Sequence, residues 1–212
     1  MKKFAFGALA VLAIAGTASA AVRNINFDQD ALGNSIADLT DINTQYNAWG
    51  VNFTPNAFVG GSWASNTGMH ATSTDVGFGY DPLLGNVLHA FDLDWLSEDG
   101  DPSFLITFSG GITSFEMDVI GDTGGLDGLQ TFVALFAADG TTLVDLFEAN
   151  GIGGIERIGG ALSGTAYFAA VAHGDFNDWV GVDNITYTEA IPAPASLGLL
   201  GLAGLVAGRR RR

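Results

Sequence analysis

Ile112-Thr113-Ser114-Phe115-Glu116-Met117-Asp118-Val119 is the stretch that decides the fold class. Phe115, Met117 and Val119 alternate with Ser114, Glu116 and Asp118, a period of two that places the apolar set on one face of a strand and the polar set on the other. One face of this segment is expected to be buried and the other wet. Working outward, short apolar runs punctuated by Gly, Asp and Asn recur along the chain. Val22 to Phe27, Gly50 to Thr54, Val87 to Asp92, Phe104 to Phe108, Thr131 to Ala137, Thr141 to Phe147, Ala166 to Ala172 and Val180 to Thr188 all read as strands. Asp139-Gly140 between two of them predicts a hairpin closed by a type I′ turn. Helical periodicity is hard to find between Ala21 and Glu189, and only Asp28 to Asn47 leaves a short helix or a crossing loop open. The glycine clusters Gly121 to Gly128 and Gly151 to Gly160 read as long loops. The expected fold is all-β, an antiparallel β-sandwich of jelly-roll-like order, formed by one domain over residues 21–189.

The two ends have a different character. Lys2 and Lys3, the apolar run Phe4 to Ala15 and the small residues Ala18-Ser19-Ala20 follow the order of a secretory signal peptide, with cleavage expected before Ala21. Residues 1–20 are therefore expected to be an apolar signal helix that signal peptidase removes. At the other end Ala195 to Gly208 is apolar and Arg209, Arg210, Arg211 and Arg212 follow at once. A run of this length is short for a bilayer core, which about 20 residues span comfortably. It is expected to serve as a marginal transmembrane helix, with the arginines held on the cytoplasmic side as a stop.

Charge follows the same division. Only Arg23 and Arg157 are basic within residues 21–189, against all 23 acidic residues, a formal charge of −21 for that segment. A field of that sign repels nucleic-acid phosphates and attracts cations, so nucleic acid is excluded as a partner. The chain contains no cysteine, which removes thiolate metal sites, thiol nucleophiles and disulfides together. There is no Gly-x-Ser-x-Gly elbow and no glycine-rich nucleotide loop, and the expectation is a protein without enzymatic activity.

Ile191-Pro192-Ala193-Pro194-Ala195-Ser196, followed by a short apolar helix and an arginine cluster, resembles the PEP-CTERM sorting signal of Gram-negative bacteria. Ala193 stands where that family usually has glutamate. The resemblance implies that residues 190–212 are a sorting segment, with Pro192, Ala193 and Pro194 as its motif, a transient inner-membrane anchor, and processing by an exosortase-like protease. Ile25-Asn26-Phe27-Asp28, Trp49 to Phe53 and Gly181 to Tyr187 are similar to β-sandwich domains common in such proteins. The likeness implies an exported cell-surface or extracellular-matrix protein of the biofilm type; adhesion or scaffolding, with acidic loops bridging calcium or matrix polysaccharide, is the expected action. A calcium-dependent carbohydrate-binding module is the alternative.

Calcium is the cofactor the residues suggest, because it takes six to eight oxygens from flexible acidic segments. Asp92, Asp94, Asp99 and Asp101 form the densest cluster. Asp28 and Asp183 form a second candidate pair, on the expectation that the first and last strands lie together, with Asp175, Asn177 and Asp178 near the same edge. His70, His89 and His173 show no metal-ligand spacing. Trp63, within Gly60 to Asn66, has the most loop-like setting of the tryptophans and is the candidate for stacking on a sugar.

Overall fold

Twelve strands are found among the described residues, and no α-helix. The computed structural model describes residues 19–38, 40–54, 56–59, 62–65, 70–72, 85–89, 104–121, 131–150, 154–172 and 180–191. Residues 1–18 of the signal segment, Ala18 included, the Pro-x-Pro motif, the apolar run 195–208 and Arg209 to Arg212 lie outside them. Among the described residues no helix is long and apolar enough to cross a membrane.

The strands are β1 (Val22–Ile25), β2 (Thr40–Asp41), β3 (Val51–Thr54), β4 (Asn56–Val59), β5 (Ser62–Ser65), β6 (His70–Thr72), β7 (Val87–His89), β8 (Phe104–Gly121), β9 (Phe132–Phe136), β10 (Leu143–Glu148), β11 (Gly154–Ala172) and β12 (Val180–Glu189). All pairings are antiparallel. The main sheet runs β10-β9-β11-β8-β12-β7-β6-β2, with β1 added to β12 and β3 to β8, while β4 and β5 form a separate hairpin. Residues Ala21–Ala190 make up one compact unit.

Two long strands organise this unit. The first part of β8 pairs with β3 on one side and with the second part of β11 on the other, as in Phe53↔Ile106 and Ala169↔Ile106. The remainder of β8, from Ile112, pairs with the first part of β11 and with β12, as in Ile158↔Met117 and Val182↔Val119. Each long strand thus serves two layers. The inward side chains of both halves meet in a single core that contains Phe53, Ile106, Val133 and Leu135 from one and Phe115, Met117, Val119, Val182 and Tyr187 from the other. Gly111 sits at the change of direction in β8, at φ +70, where an added Cβ would lie 2.7 Å from the Thr165 side chain. A left-handed bend without a side chain is what this corner requires.

The decisive stretch behaves as its alternation demands. Phe115, Met117 and Val119 are fully buried, and Ser114, Glu116 and Asp118 stand on the opposite, wetter face. Burying a large apolar side chain contributes about 1.5–3 kcal/mol relative to leaving it exposed, so this face anchors the fold. Phe27, Tyr46, Phe53 and Phe104 extend the core as a chain of aromatic contacts, with centroids 5.7 to 6.2 Å apart.

Three expectations need correction. Phe104 to Phe108 and Ile112 to Val119 belong to one strand, bent at Gly110-Gly111, where the pairing with β11 shifts register and resumes at Ile112↔Ala166. Gly154 to Gly160 is strand and not loop. Ile155, Glu156, Arg157 and Ile158 pair in register with Ile120, Val119, Asp118 and Met117. The β9–β10 hairpin does not use a type I′ turn, since only Gly140 has positive φ (+72) and Asp139 does not. The Gly140 N–H bonds to the Ala137 carbonyl at 2.9 Å. Asp139 Oδ1 accepts from the Thr141 and Thr142 N–H groups, a turn built by a side chain acting in place of the backbone. The open segment Asp28 to Asn47 is a crossing connection. It is pinned by the Gln29–Ser35 bridge and by Asp30, whose carboxylate accepts from Leu32 and Asn34, and it closes on a single 3-10 turn at Asn47–Trp49.

Candidate functional site

Asp28 lies three residues past the end of β1, and Asp183 lies in β12, the strand that pairs with β1 through Val22↔Thr188 to Ile25↔Ile185. The backbone turns sharply at Phe27, whose φ is +56, and this carries Asp28 off the ladder. Its carboxylate is then fixed by the segment entering β7. The Asn86 N–H donates to Asp28 Oδ1 at 2.8 Å, and Asn86 Nδ2 donates to the carbonyls of Phe27 and Ile36, both at 3.0 Å. Asn86 is itself buried, so one amide side chain sews β1, the crossing segment and β7 together.

Asp183 is 2 % exposed. Next to it Asn184 has φ +48, and β12 shifts register against β8 between Asp183 and Thr186. The Asn184 amide donates to Asp183 Oδ2 at 3.1 Å and to Asp118 Oδ2 at 3.0 Å. Asp183 Oδ1 has no hydrogen-bond partner among the described residues, and the atom is buried. Burial holds the Asp183 carboxyl above its ordinary value, at about 7. The Asn184 backbone N–H opposes the shift, the negative charges of Asp28 and Asp118 reinforce it, and Arg157 works against it. The two acids singled out from the sequence therefore do come within electrostatic reach of each other. Tyr46 borders the same region; burial first, and then the charges of Asp183, Asp28 and Asp30, push its hydroxyl above the usual tyrosine range.

On the outer face of the same strands Arg157 reaches across from β11. It pairs with Asp118 at 2.8 Å and Glu116 at 3.1 Å, and it donates to the Asn184 carbonyl at 2.9 Å and the Thr186 hydroxyl at 3.0 Å. The unit's other cation, Arg23, pairs with Glu189 at 2.8 Å and lies 5.2 Å over the Trp49 ring. Both arginines are thus occupied by the fold.

A second feature is a groove of about 460 Å³ between β10 and the first part of β11, lined by Leu146, Phe147, Glu148, Asn150, Glu156 and Ile158. Among the described residues β10 pairs only with β9, and this part of β11 only with β8, so the groove runs between two sheet edges. Glu156 faces inward beside Ile158. Its Oε1 accepts from the Asn150 N–H at 2.7 Å and from the Asn150 amide, and its buried Oε2 has no partner among the described residues.

Asp92, Asp94, Asp99 and Asp101 lie outside the described residues, as do Asp175, Asn177, Asp178 and His173. Trp63 is in β5, opposite Phe58, so its backbone belongs to a strand and not to a loop. The register of β6 sets His70 opposite His89 on one side and opposite Asp41 on the other, a juxtaposition that linear spacing did not show. Among the described residues no group of three or more His, Cys, Asp or Glu is arranged to hold a metal ion. Asn86, Asn184 and Arg157 were missed by sequence reasoning. The only signal for Arg157 was its being one of two cations in residues 21–189, set between Ile155 and Ile158.

No family model matches this chain, and neither does any curated protein. Among solved structures it is similar to the K2 cleaved adhesin domain of Lys-gingipain (Kgp), at 15 % identity and a TM-score of 0.41, over 80 % of this chain and 99 % of that one. It is also similar to a glycoside hydrolase family 43 arabinoxylan arabinofuranohydrolase from Bacillus subtilis, solved with cellotetraose, at 15 % identity and a TM-score of 0.34. That match covers 76 % of this chain and 32 % of the other. Likenesses this distant assign no activity.

Proposed function

We propose that this chain is an exported, exosortase-sorted, non-enzymatic protein of the cell surface or extracellular matrix. Its jelly-roll-like β-sandwich acts by adhesion or scaffolding, and residues 1–20 and 190–212 serve to deliver it. Signal peptidase and an exosortase-like protease are its processing partners, and the inner membrane holds it only in transit. The observation that carries this reading is the distribution of charge. The 23 acidic residues all fall within residues 21–189, and the only two cations there, Arg23 and Arg157, are engaged within the fold. The segment is left with a formal charge of −21. A domain so charged stays soluble, does not self-associate, and gathers cations that can bridge it to anionic polysaccharide. Mass spectrometry of the protein recovered from the cell exterior tests the delivery. The mature chain is expected to begin at Ala21 and to lack Arg209 to Arg212. A full-length chain recovered from the cytosol would refute it. Retention on immobilised matrix polysaccharide, promoted by divalent cations, tests the adhesive role.

The second reading is a carbohydrate-binding module, favoured by the edge groove, where the Phe147 ring and Leu146 lie beside Glu148 and Asn150. Apolar surface with a few polar groups at its margin is the usual composition of a small-ligand site. Saturable binding of a defined oligosaccharide, weakened by Phe147→Ala, separates this reading from generic matrix adhesion.

A further inference from the structure

Asp183 Oδ1 poses a problem that the fold does not solve with its own groups. A buried carboxylate oxygen with no donor retains its desolvation cost, and of the charged groups that act on it two, Asp28 and Asp118, are negative. Neither arginine is free to approach, since Arg157 is spread over Glu116, Asp118, Asn184 and Thr186 on the outer face and Arg23 holds Glu189 at the chain ends. The two oxygens of Asp183 are treated differently. Asn184, held in a left-handed conformation, anchors Oδ2 toward Asp118 and leaves Oδ1 turned away from that anchor. Asp28 is oriented just as firmly. Asn86 grips its Oδ1, and Gly85 at φ +85 passes so close that an added Cβ would fall 2.5 Å from the same oxygen and 2.7 Å from the other. Two oriented carboxylates, Asp28 held by the Asn86 backbone N–H and Asp183 by the Asn184 side-chain amide, thus lie where the two ends of the domain meet. Orientation of this kind by neighbouring amides is how oxygen ligands are prepared for a metal.

We infer that Asp28 and Asp183 form an internal calcium site that joins the two ends of the domain, with Asn86 and Asn184 as its positioning residues. Calcium fits better than smaller or softer cations. The donors are all oxygen, and only two are carboxylates, so backbone oxygens and water complete a flexible shell of the kind calcium accepts and magnesium tolerates poorly. The site lies where β1, the crossing segment, the entry to β7 and β12 converge. Bound calcium therefore stabilises the closure of the first strand on the last, and any calcium dependence of adhesion is indirect. This deepens the surface-protein reading and rests on it, since the cation concentration assumed is that met by an exported domain.

The test uses the mature protein, stripped with chelator and then titrated with calcium at constant ionic strength, with thermal unfolding and terbium luminescence as readouts. Calcium at about a hundred times its Kd is expected to raise Tm by about 5 °C or more. Terbium is expected to be sensitised through Tyr46 and Trp49 and displaced by calcium. Asp183→Asn, Asp28→Asn and Gly85→Ala each abolish both signals. The quadruple Asp92→Asn, Asp94→Asn, Asp99→Asn, Asp101→Asn variant keeps them. No shift in the unmodified protein overturns the site, and so does a shift that survives Asp183→Asn and Asp28→Asn in folded protein. Polysaccharide retention and terminal processing are measured separately, so loss of the metal site alone leaves the surface-protein reading standing.

Discussion

In the calcium-free protein, replacing Asp183 by Asn is expected to stabilise the domain at pH 8 and to do almost nothing at pH 4. The Asp183 carboxyl titrates near 7 in the folded state because it is buried, with Asp28 and Asp118 adding to the shift and the Asn184 backbone N–H and Arg157 opposing it, whereas the unfolded chain restores the ordinary value of 3.8. Below 3.8 both states hold the proton and the group is neutral in both. Between 3.8 and about 7 the folded state alone keeps it, so stability falls as pH rises, by at most about 1.4 kcal/mol per pH unit. Above about 7 the loss is complete, with a ceiling of about 4 kcal/mol. Asn carries no charge at any pH and still offers an oxygen to the Asn184 amide, so it removes the loss without removing the contact. For a domain of this size the gain at pH 8 corresponds to a rise in Tm of roughly 5–15 °C. The assay is the difference in Tm between the two proteins in chelator from pH 4 to pH 8. Every other carboxylate is common to both, and its titration cancels. A difference that stays flat across the range, or a variant less stable at pH 8, would refute the reasoning. With saturating calcium the order is expected to reverse, because only the unmodified protein gains from the cation.

Single contacts supply further tests. Gly159→Ala drives a Cβ into the Phe115 carbonyl oxygen at φ +120, so a loss of about 2 kcal/mol or more is expected in urea unfolding. Arg157→Gln is expected to cost no more than about 1 kcal/mol, since the guanidinium is partly exposed. It is also expected to move the Asp183 titration upward, read by carboxyl NMR, because Arg157 is the charge that lowers it. Asp139→Ala is expected to lower Tm at neutral pH. Bonds from Thr142 and Thr141 depress the Asp139 carboxyl to about 2, so its contribution is present above 3.8 and is lost as pH falls through about 2. The two proteins should converge in acid.

The strands with clean alternation or a continuous apolar run were legible. Ile112 to Val119 lies inside β8, Thr131 to Ala137 brackets β9, and Val180 to Thr188 lies inside β12, because burial on one face leaves a period of two that any register must respect. The first part of β11 was not legible. Gly154, Gly159 and Gly160 are loop signals locally, yet Gly159 is there because β8 passes too close for any side chain, a contact between residues more than 40 positions apart. The hairpin turn was placed correctly but typed wrongly, since Asp139 supplies by its side chain what a type I′ backbone would have supplied. The Asp28–Asp183 pair could be nominated from the closeness of first and last strands alone. It becomes a site through the orientation imposed by Asn86 and Asn184, and neither asparagine stands out from others in the chain until its neighbours are known.

Glu156 sharpens the distinction between a site and a structural device. Like Asp183 it is buried with one orphan oxygen, and like Asp183 its other oxygen is held by an asparagine. It differs in position: it lies on the first part of β11, a sheet edge among the described residues, where an inward-pointing charge discourages another chain from pairing. That role needs no ligand, whereas Asp183 lies inside the sheet between β1, β7 and β8, with no edge to protect. Glu156→Leu separates the two explanations. If the charge guards the edge, the variant remains folded but gains a concentration-dependent tendency to associate, visible by light scattering, while its calcium response stays intact. If association does not change and calcium binding is lost instead, the metal belongs at the groove, and the assignment to the Asp28–Asp183 pair fails.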